Sequence, residues 1–100
     1  MTNELDVILQ AGFAWSITAF PGQTVEGMKH HLLEEAGEVL TAGTKEELAE
    51  ELADVMFLAY NIGSRSGVDL FDALYGKFLK NQARGWSPPD ANGVIHHVAE

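Results

Sequence analysis

Leu48, Leu52, Val55, Ala59 and Ile62 follow one another by steps of four and three. That spacing keeps apolar side chains on one face of an α-helix and fits no strand. Just before the stripe, Thr44-Lys45-Glu46-Glu47 sets a hydroxyl at a helix start and an acid three residues later, the pattern of a capping box. Gly43 closes the preceding helix, and Gly67 terminates the stripe's own helix near Ser66. Upstream, Phe20-Pro21-Gly22 breaks the chain, and Thr24 caps a helix that runs to about Thr41. Asn3 caps a first helix through about Phe13, with Leu5, Ile8 and Leu9 on one side. Asp69 caps a fourth, with Leu70, Phe71, Leu74 and Phe78 apolar, ending before Gly85. Pro88-Pro89 and Asn92-Gly93 predict an irregular tail over about 86–100. The expected fold is therefore all-α: one domain over 1–100, a bundle of about four helices built on an antiparallel hairpin.

Charge narrows the function. Six Lys+Arg against fifteen Asp+Glu leave a net charge of −9. Such a chain repels phosphate backbones and anionic lipid, which argues against nucleic-acid and membrane-surface binding. No cysteine is present, so disulfides, thiolate zinc sites and cysteine nucleophiles fall away together. The longest apolar run, Val55 to Tyr60, is too short to span a bilayer. The first twenty residues carry two acids and no Lys or Arg, unlike a secretory signal, so the expected location is cytoplasmic.

The acids are concentrated. Eight of the fifteen fall between Glu34 and Asp54, and two pairs stand out by spacing, Glu35-x-x-Glu38 and Glu51-x-x-Asp54. Residues three apart share a helix face. In an antiparallel hairpin, residues at equal height have numbers with a constant sum. Residue 35 with 54, and 38 with 51, both give 89, which puts the mirror point between Thr44 and Lys45 at the predicted bend. Both pairs then sit roughly 10 Å from the bend along their helices. Facing inward, four carboxylates converge and repel unless cations neutralise them, and hard oxygen donors of this kind suit Mg²⁺ or Mn²⁺. The competing reading is a solvated acidic face, which is common.

Most of the cations lie after this hairpin: Arg65, Lys77, Lys80 and Arg84. Asp54, Asn61 and Arg65 fall near one face of the third helix, and Lys77, Asn81 and Arg84 share a face of the fourth. A carboxylate-bound metal beside Lys and Arg is what phosphoryl chemistry needs, although ordinary surface cations give the same pattern. Phosphate loops, dinucleotide fingerprints, His-Glu-x-x-His, EF-hand loops and Glu-x-x-His are all missing. His31 precedes Glu35 by one turn, placed to orient that carboxylate, to touch a phosphate, or simply to pack.

The run Glu35-x-x-Glu38, a twelve-residue gap, then Glu51-x-x-Asp54 resembles the metal-binding signature of the all-α nucleotide pyrophosphohydrolases, the MazG-like superfamily. Phe20, the His31-to-Glu38 run, Glu51-Leu-Ala-Asp54, Arg65-Ser-Gly67, the Lys77-x-x-x-Asn81-x-x-Arg84-x-Trp86 run and the tail ending in His97 make the chain similar, more closely, to the phage and bacterial dATP/dGTP diphosphohydrolases (MazZ-like). The resemblance implies Mg²⁺-dependent hydrolysis of a purine deoxynucleoside triphosphate to monophosphate and pyrophosphate, by metal-activated water attacking the α-phosphate. Glu35, Glu38, Glu51 and Asp54 would bind two or three Mg²⁺ ions, with Mn²⁺ as a substitute, and Glu34 or Glu38 would take the proton of the attacking water. Lys77 and Arg84 would hold phosphates, with Arg65 and His31 among the substrate-binding residues. Asn81 would contact sugar or phosphate, and Trp86 would stack on the base or pack. Many relatives carry Asp where this chain has Asn61, a departure that bears on metal number or sugar contact.

The resemblance also implies a homodimer or a homotetramer built as a dimer of dimers, which completes the bundle, and a host cytoplasm if the gene is a phage's. The rival of another class is a non-catalytic acidic helical interaction module, or a DNA mimic. A mimic spreads its acids over an exposed face, whereas an enzyme converges them.

Overall fold

The computed structural model describes residues 3–98. Four helices follow in order: α1 (Glu4–Ala19), α2 (Val25–Thr41), α3 (Lys45–Arg65) and α4 (Leu70–Ala83). The fold is all-α, and its only β pairing among the described residues is an isolated bridge between Trp86 and His97. Among those residues no helix is long and apolar enough to cross a membrane. The chain forms two compact units, residues 1–69 and 70–100.

In the first unit α2 and α3 make the antiparallel hairpin, and α1 packs against α3. Each of the three helices starts on the cap its sequence announces: Asn3 accepts the Asp6 N–H at 2.8 Å, Thr24 that of Gly27 at 3.0 Å, and Thr44 that of Glu47 at 3.1 Å. A cap of this kind is worth about 1 kcal/mol. The box at Thr44 closes differently from the expected pattern, because the Glu47 carboxylate accepts the N–H of Gly43, at 3.0 Å, rather than that of the cap. The same two side chains thus clamp both sides of the bend. At the far end of α3, Gly67 takes φ +72° and the Val68 N–H bonds the Gly63 carbonyl at 2.8 Å, a left-handed stop that glycine adopts without steric cost.

Helix α1 runs to Ala19, six residues beyond the predicted Phe13. Nothing between the two breaks a helix. The Ser16 and Thr18 hydroxyls bond back to the carbonyls of Phe13 and Trp15 instead of capping a new turn. The helix stops where Pro21 bars helical geometry at Phe20. The core is also thinner than the periodicity predicts. Leu9, Met28 and Leu58 are the buried apolar side chains among the described residues, while Leu5, Ile8, Leu48 and Leu52 are exposed. The inward face of α3 carries Leu58 and Asn61 rather than the whole apolar stripe.

In the second unit, α4 has no buried residue. The described part of the segment after it has no helix or strand, as the turn residues predict. It folds back on itself: Ser87 N–H bonds the His96 carbonyl at 2.8 Å, and Val98 N–H that of Gly85 at 3.0 Å. Asp90 ties the turn by accepting the backbone N–H groups of Asn92 and Val94 and facing His96 Nε2 at 3.0 Å. These three donors hold its carboxyl below the usual carboxylate range, the Val94 N–H contributing most. Asx turns and glycine at φ +76° (Gly93) do here what a two-stranded ladder does elsewhere.

Candidate active site

The hairpin register brings Glu35, Glu38 and Glu51 together. One carboxylate oxygen from each lies within 4.8 Å of the others. Three carboxylates at that distance cannot all be ionised without a cation, and the structure shows how the strain is relieved. Hydrogen bonds from Glu51 to Glu38 and Glu35, with burial and the charge of both neighbours, push the Glu51 carboxyl up to about 8. Without a cation, Glu51 is therefore the carboxyl of the three that favours its protonated form.

Glu35 is fixed from its own helix. His31, one turn earlier, bonds Glu35 Oε1 through Nε2 at 3.0 Å, with Glu35 only 12% exposed at its side chain. The second oxygen, Oε2, is buried with no hydrogen-bond partner, and so is Oε2 of Glu51. Buried acceptors without donors are costly. Hard oxygens, oriented by a histidine and otherwise unsatisfied, are the donor set a divalent cation takes, so the residues present fit Mg²⁺ or Mn²⁺.

Asp54 lies one turn beyond Glu51, outside this three-way contact, and lines an adjoining cavity of about 410 Å³. Gly12, Trp15 and Ser16 of α1, Phe20 and Gln23 of the first loop, His31 of α2, and Phe57, Leu58 and Asn61 of α3 complete the walls. Gly12 is needed here: a Cβ at that position would overlap the Phe57 ring, with Cδ1 only 2.7 Å away. Trp15 and Phe20 meet edge to face, with centroids 5.2 Å apart. The cavity is thus aromatic on one side and opens toward the acidic cluster through His31 and Asp54.

Other expected site residues are distributed as follows. Asn61 is buried at 7% exposure, and its Oδ1 has no partner. Arg65 donates from Nη1 to the Gln23 carbonyl at 3.4 Å, and its Nε and Nη2 are buried without partners. Glu34 is exposed on α2 and is not one of the three converging acids. Lys77, Asn81, Arg84 and Trp86 all belong to the second unit. There Lys77 is exposed, Arg84 half-buried, and Asn81 Oδ1 buried without a partner. Trp86 donates its indole N–H to the Asn81 carbonyl at 2.8 Å and stands edge-on to His97.

Sequence reasoning missed most of the cavity. Gly12 was the available signal, since a lone glycine inside a helical pattern marks close packing. Trp15, Ser16 and Phe57 carried none, because α1 is apolar on several sides and its inward face cannot be chosen by periodicity.

Comparison with known proteins agrees with this geometry. Residues 9–100 match the family model of the dATP/dGTP pyrophosphohydrolases. The chain is 34% identical over 85 residues to the dATP/dGTP diphosphohydrolase of cyanophage S-2L, an alignment covering 85% of this chain and 79% of the relative. Among solved structures it resembles the cyanophage S-2L MazG-like pyrophosphohydrolase bound to dGDP and three catalytic Mn²⁺ ions per active site, with TM-score 0.77 and 33% identity, covering 94% of this chain and 93% of the other.

Proposed function

The chain belongs to the dATP/dGTP pyrophosphohydrolase family, whose members are nucleotide diphosphohydrolase enzymes, and from that premise we propose that it hydrolyses purine deoxynucleoside triphosphates to monophosphate and pyrophosphate. The observation that carries this reading is the convergence of Glu35, Glu38 and Glu51, of which Glu35 and Glu51 each keep a buried, unsatisfied oxygen. Glu35, Glu38, Glu51 and Asp54 hold the divalent ions, two or three Mg²⁺ with Mn²⁺ as substitute; the S-2L relative, with three Mn²⁺, supports a multi-ion site. When bound, the ions neutralise phosphate oxygens and acidify a water for attack on the α-phosphorus.

The chain's own groups do the rest. His31 keeps Glu35 in one rotamer, so a ligand oxygen is presented without reorganisation. Glu38, or Glu34 beside the cluster, accepts the proton of the attacking water as the bond from the α-phosphorus to the bridging oxygen breaks. Lys77 and Arg84 supply cations for the departing pyrophosphate, and Arg65, held at the Gln23 carbonyl, is a further substrate-binding group. Asn81 contacts sugar or phosphate, and Trp86, its indole N–H held by the Asn81 carbonyl, stacks on the base or packs. One family match running through both compact units supports reading residues 1–100 as one pyrophosphohydrolase domain.

The active form is a homodimer or a dimer of dimers. Leu33 at 72% and Leu40 at 89% exposure on α2, together with Leu74, Tyr75 and Phe78 on α4, are large apolar side chains left at the surface, which supports an assembly. Light scattering that returns a stable monomer at micromolar concentration would overturn the assembly. The activity itself is tested by incubating the protein with each dNTP and Mg²⁺: pyrophosphate from dATP and dGTP is expected, and none from any dNTP refutes the reading.

A further inference from the structure

We propose that the side-chain amide of Asn61 is the base-reading group of the cavity, and that it accepts both adenine and guanine by turning over. The inference deepens the pyrophosphohydrolase reading and rests on it. Asn61 is 7% exposed, lines the cavity, and leaves Oδ1 without a hydrogen-bond partner. A buried acceptor without a partner on the wall of a partly aromatic pocket is an unmet demand that a ligand satisfies. The Ser16 hydroxyl is committed to the Phe13 carbonyl and His31 Nε2 to Glu35, while Gln23 and Asp54 are the other polar residues on the wall.

Position along α3 decides between base and sugar. Asp54 and Asn61 line the same cavity, and seven residues separate them, about 10.5 Å along the helix axis. With the phosphate end at the carboxylates, that span matches a nucleoside from its 5′ oxygen to the far edge of the base. The sugar reaches only part of the way. Trp15, Phe20 and Phe57 supply the flat apolar walls a base ring needs.

The chemistry of an amide then selects the edge. On the Watson–Crick side adenine offers a donor at N6 and an acceptor at N1, while guanine offers an acceptor at O6 and a donor at N1. Asn presents one acceptor and one donor group side by side, so a half-turn about its last bond matches it to either purine with two hydrogen bonds. On the other edge guanine shows two acceptors, N7 and O6, which one amide cannot satisfy together. A carboxylate at this position accepts only. It suits the two donors of guanine, N1 and N2, and faces the lone pair of adenine N1. An amide at residue 61 thereby tolerates both purines where a carboxylate would not.

The test measures kcat/KM for dATP and dGTP, and the dissociation constants of their α,β-imido analogues with Mg²⁺, for wild type and Asn61→Asp. The substitution should raise the preference for guanine over adenine at least ~10-fold in both readouts, the scale of one bidentate base contact. In wild type, methylation at N1 of either base should weaken analogue binding at least ~10-fold, whereas replacing N7 by carbon should leave it within about twofold. An unchanged purine ratio in a folded variant overturns the proposal, as does an N7-dependent and N1-independent wild type. So does a variant that changes discrimination between 2′-deoxy and 2′,3′-dideoxy substrates instead, which would put Asn61 on the sugar. If Asn61→Asp does not fold, the analogue series on wild type decides. If wild type binds the imido analogues but releases no pyrophosphate, the activity reading fails while the affinity ratios still judge Asn61.

Discussion

A proton held by Glu51 must leave before the oxygen that carries it can bind a cation, and this makes metal affinity steeply dependent on pH. With the Glu51 carboxyl at about 8, competition by one proton weakens apparent affinity about tenfold for each pH unit below that value. Relative to the plateau above 8, Mn²⁺ should bind about tenfold more weakly near pH 7 and about a hundredfold more weakly near pH 6. Stability without metal moves the opposite way. A carboxyl whose value rises on folding, from 4.5 to about 8, stabilises the fold fully below 4.5 and loses that contribution as pH climbs to 8. The metal-free protein should therefore soften across the same window in which metal binding tightens. Manganese titration followed by electron paramagnetic resonance, at half-unit steps from about pH 6 to 9, reads the first trend; calorimetry in two buffers of different ionisation enthalpy counts the proton released. Glu51→Gln is the control, with weak binding and no slope from this group. A Mn²⁺ affinity that stays level between pH 6 and 8 in wild type would refute the proton on Glu51.

Three further outcomes are expected. Glu38→Gln and Asp54→Asn, each close to isosteric, should keep the helical circular dichroism yet lower turnover at least ~100-fold, measured as pyrophosphate release with saturating Mg²⁺. Adding Mg²⁺ at a hundred times its dissociation constant should stabilise the fold by about 2.7 kcal/mol, a rise of roughly 10 °C or more in the melting temperature; NaCl of equal ionic strength should do much less, and identical melts in EDTA and MgCl₂ would mean that no ion binds. Gly12→Ala should cost about 1–3 kcal/mol by overpacking against Phe57, partly offset by the better helix propensity of alanine, and should narrow the cavity, read as weaker nucleotide binding.

What could be read from the residues was whatever depends on local chemistry. Hydroxyl and amide caps at Asn3, Thr24 and Thr44 start three helices because their partners lie three residues away. The Glu35, Glu38 and Glu51 convergence was legible too, since a short capped bend fixes the register of everything on its two arms. Whatever depends on which face meets which neighbour was not legible. Leu48 and Leu52 keep perfect helical spacing yet stay exposed, while the polar Asn61 is buried. The length of α1 turned on the absence of a breaker between Phe13 and Phe20, and the order of the tail on Asp90 gathering three donors. The first was readable locally, whereas the second is a multi-residue effect that a periodicity cannot carry.

The bend at Ala42–Thr44 has a consequence for the order of assembly. Glu38 and Glu51 are thirteen positions apart, and Glu35 and Glu51 sixteen, so the acidic cluster closes a short loop. Loops of this size close in well under a microsecond, long before α1 has to find α3. If the hairpin forms first, the cation site takes shape with it. A divalent ion captured there would speed the folding limb of the chevron, instead of merely slowing the unfolding limb, and the ion would serve the chain as a nucleus before it serves as a cofactor.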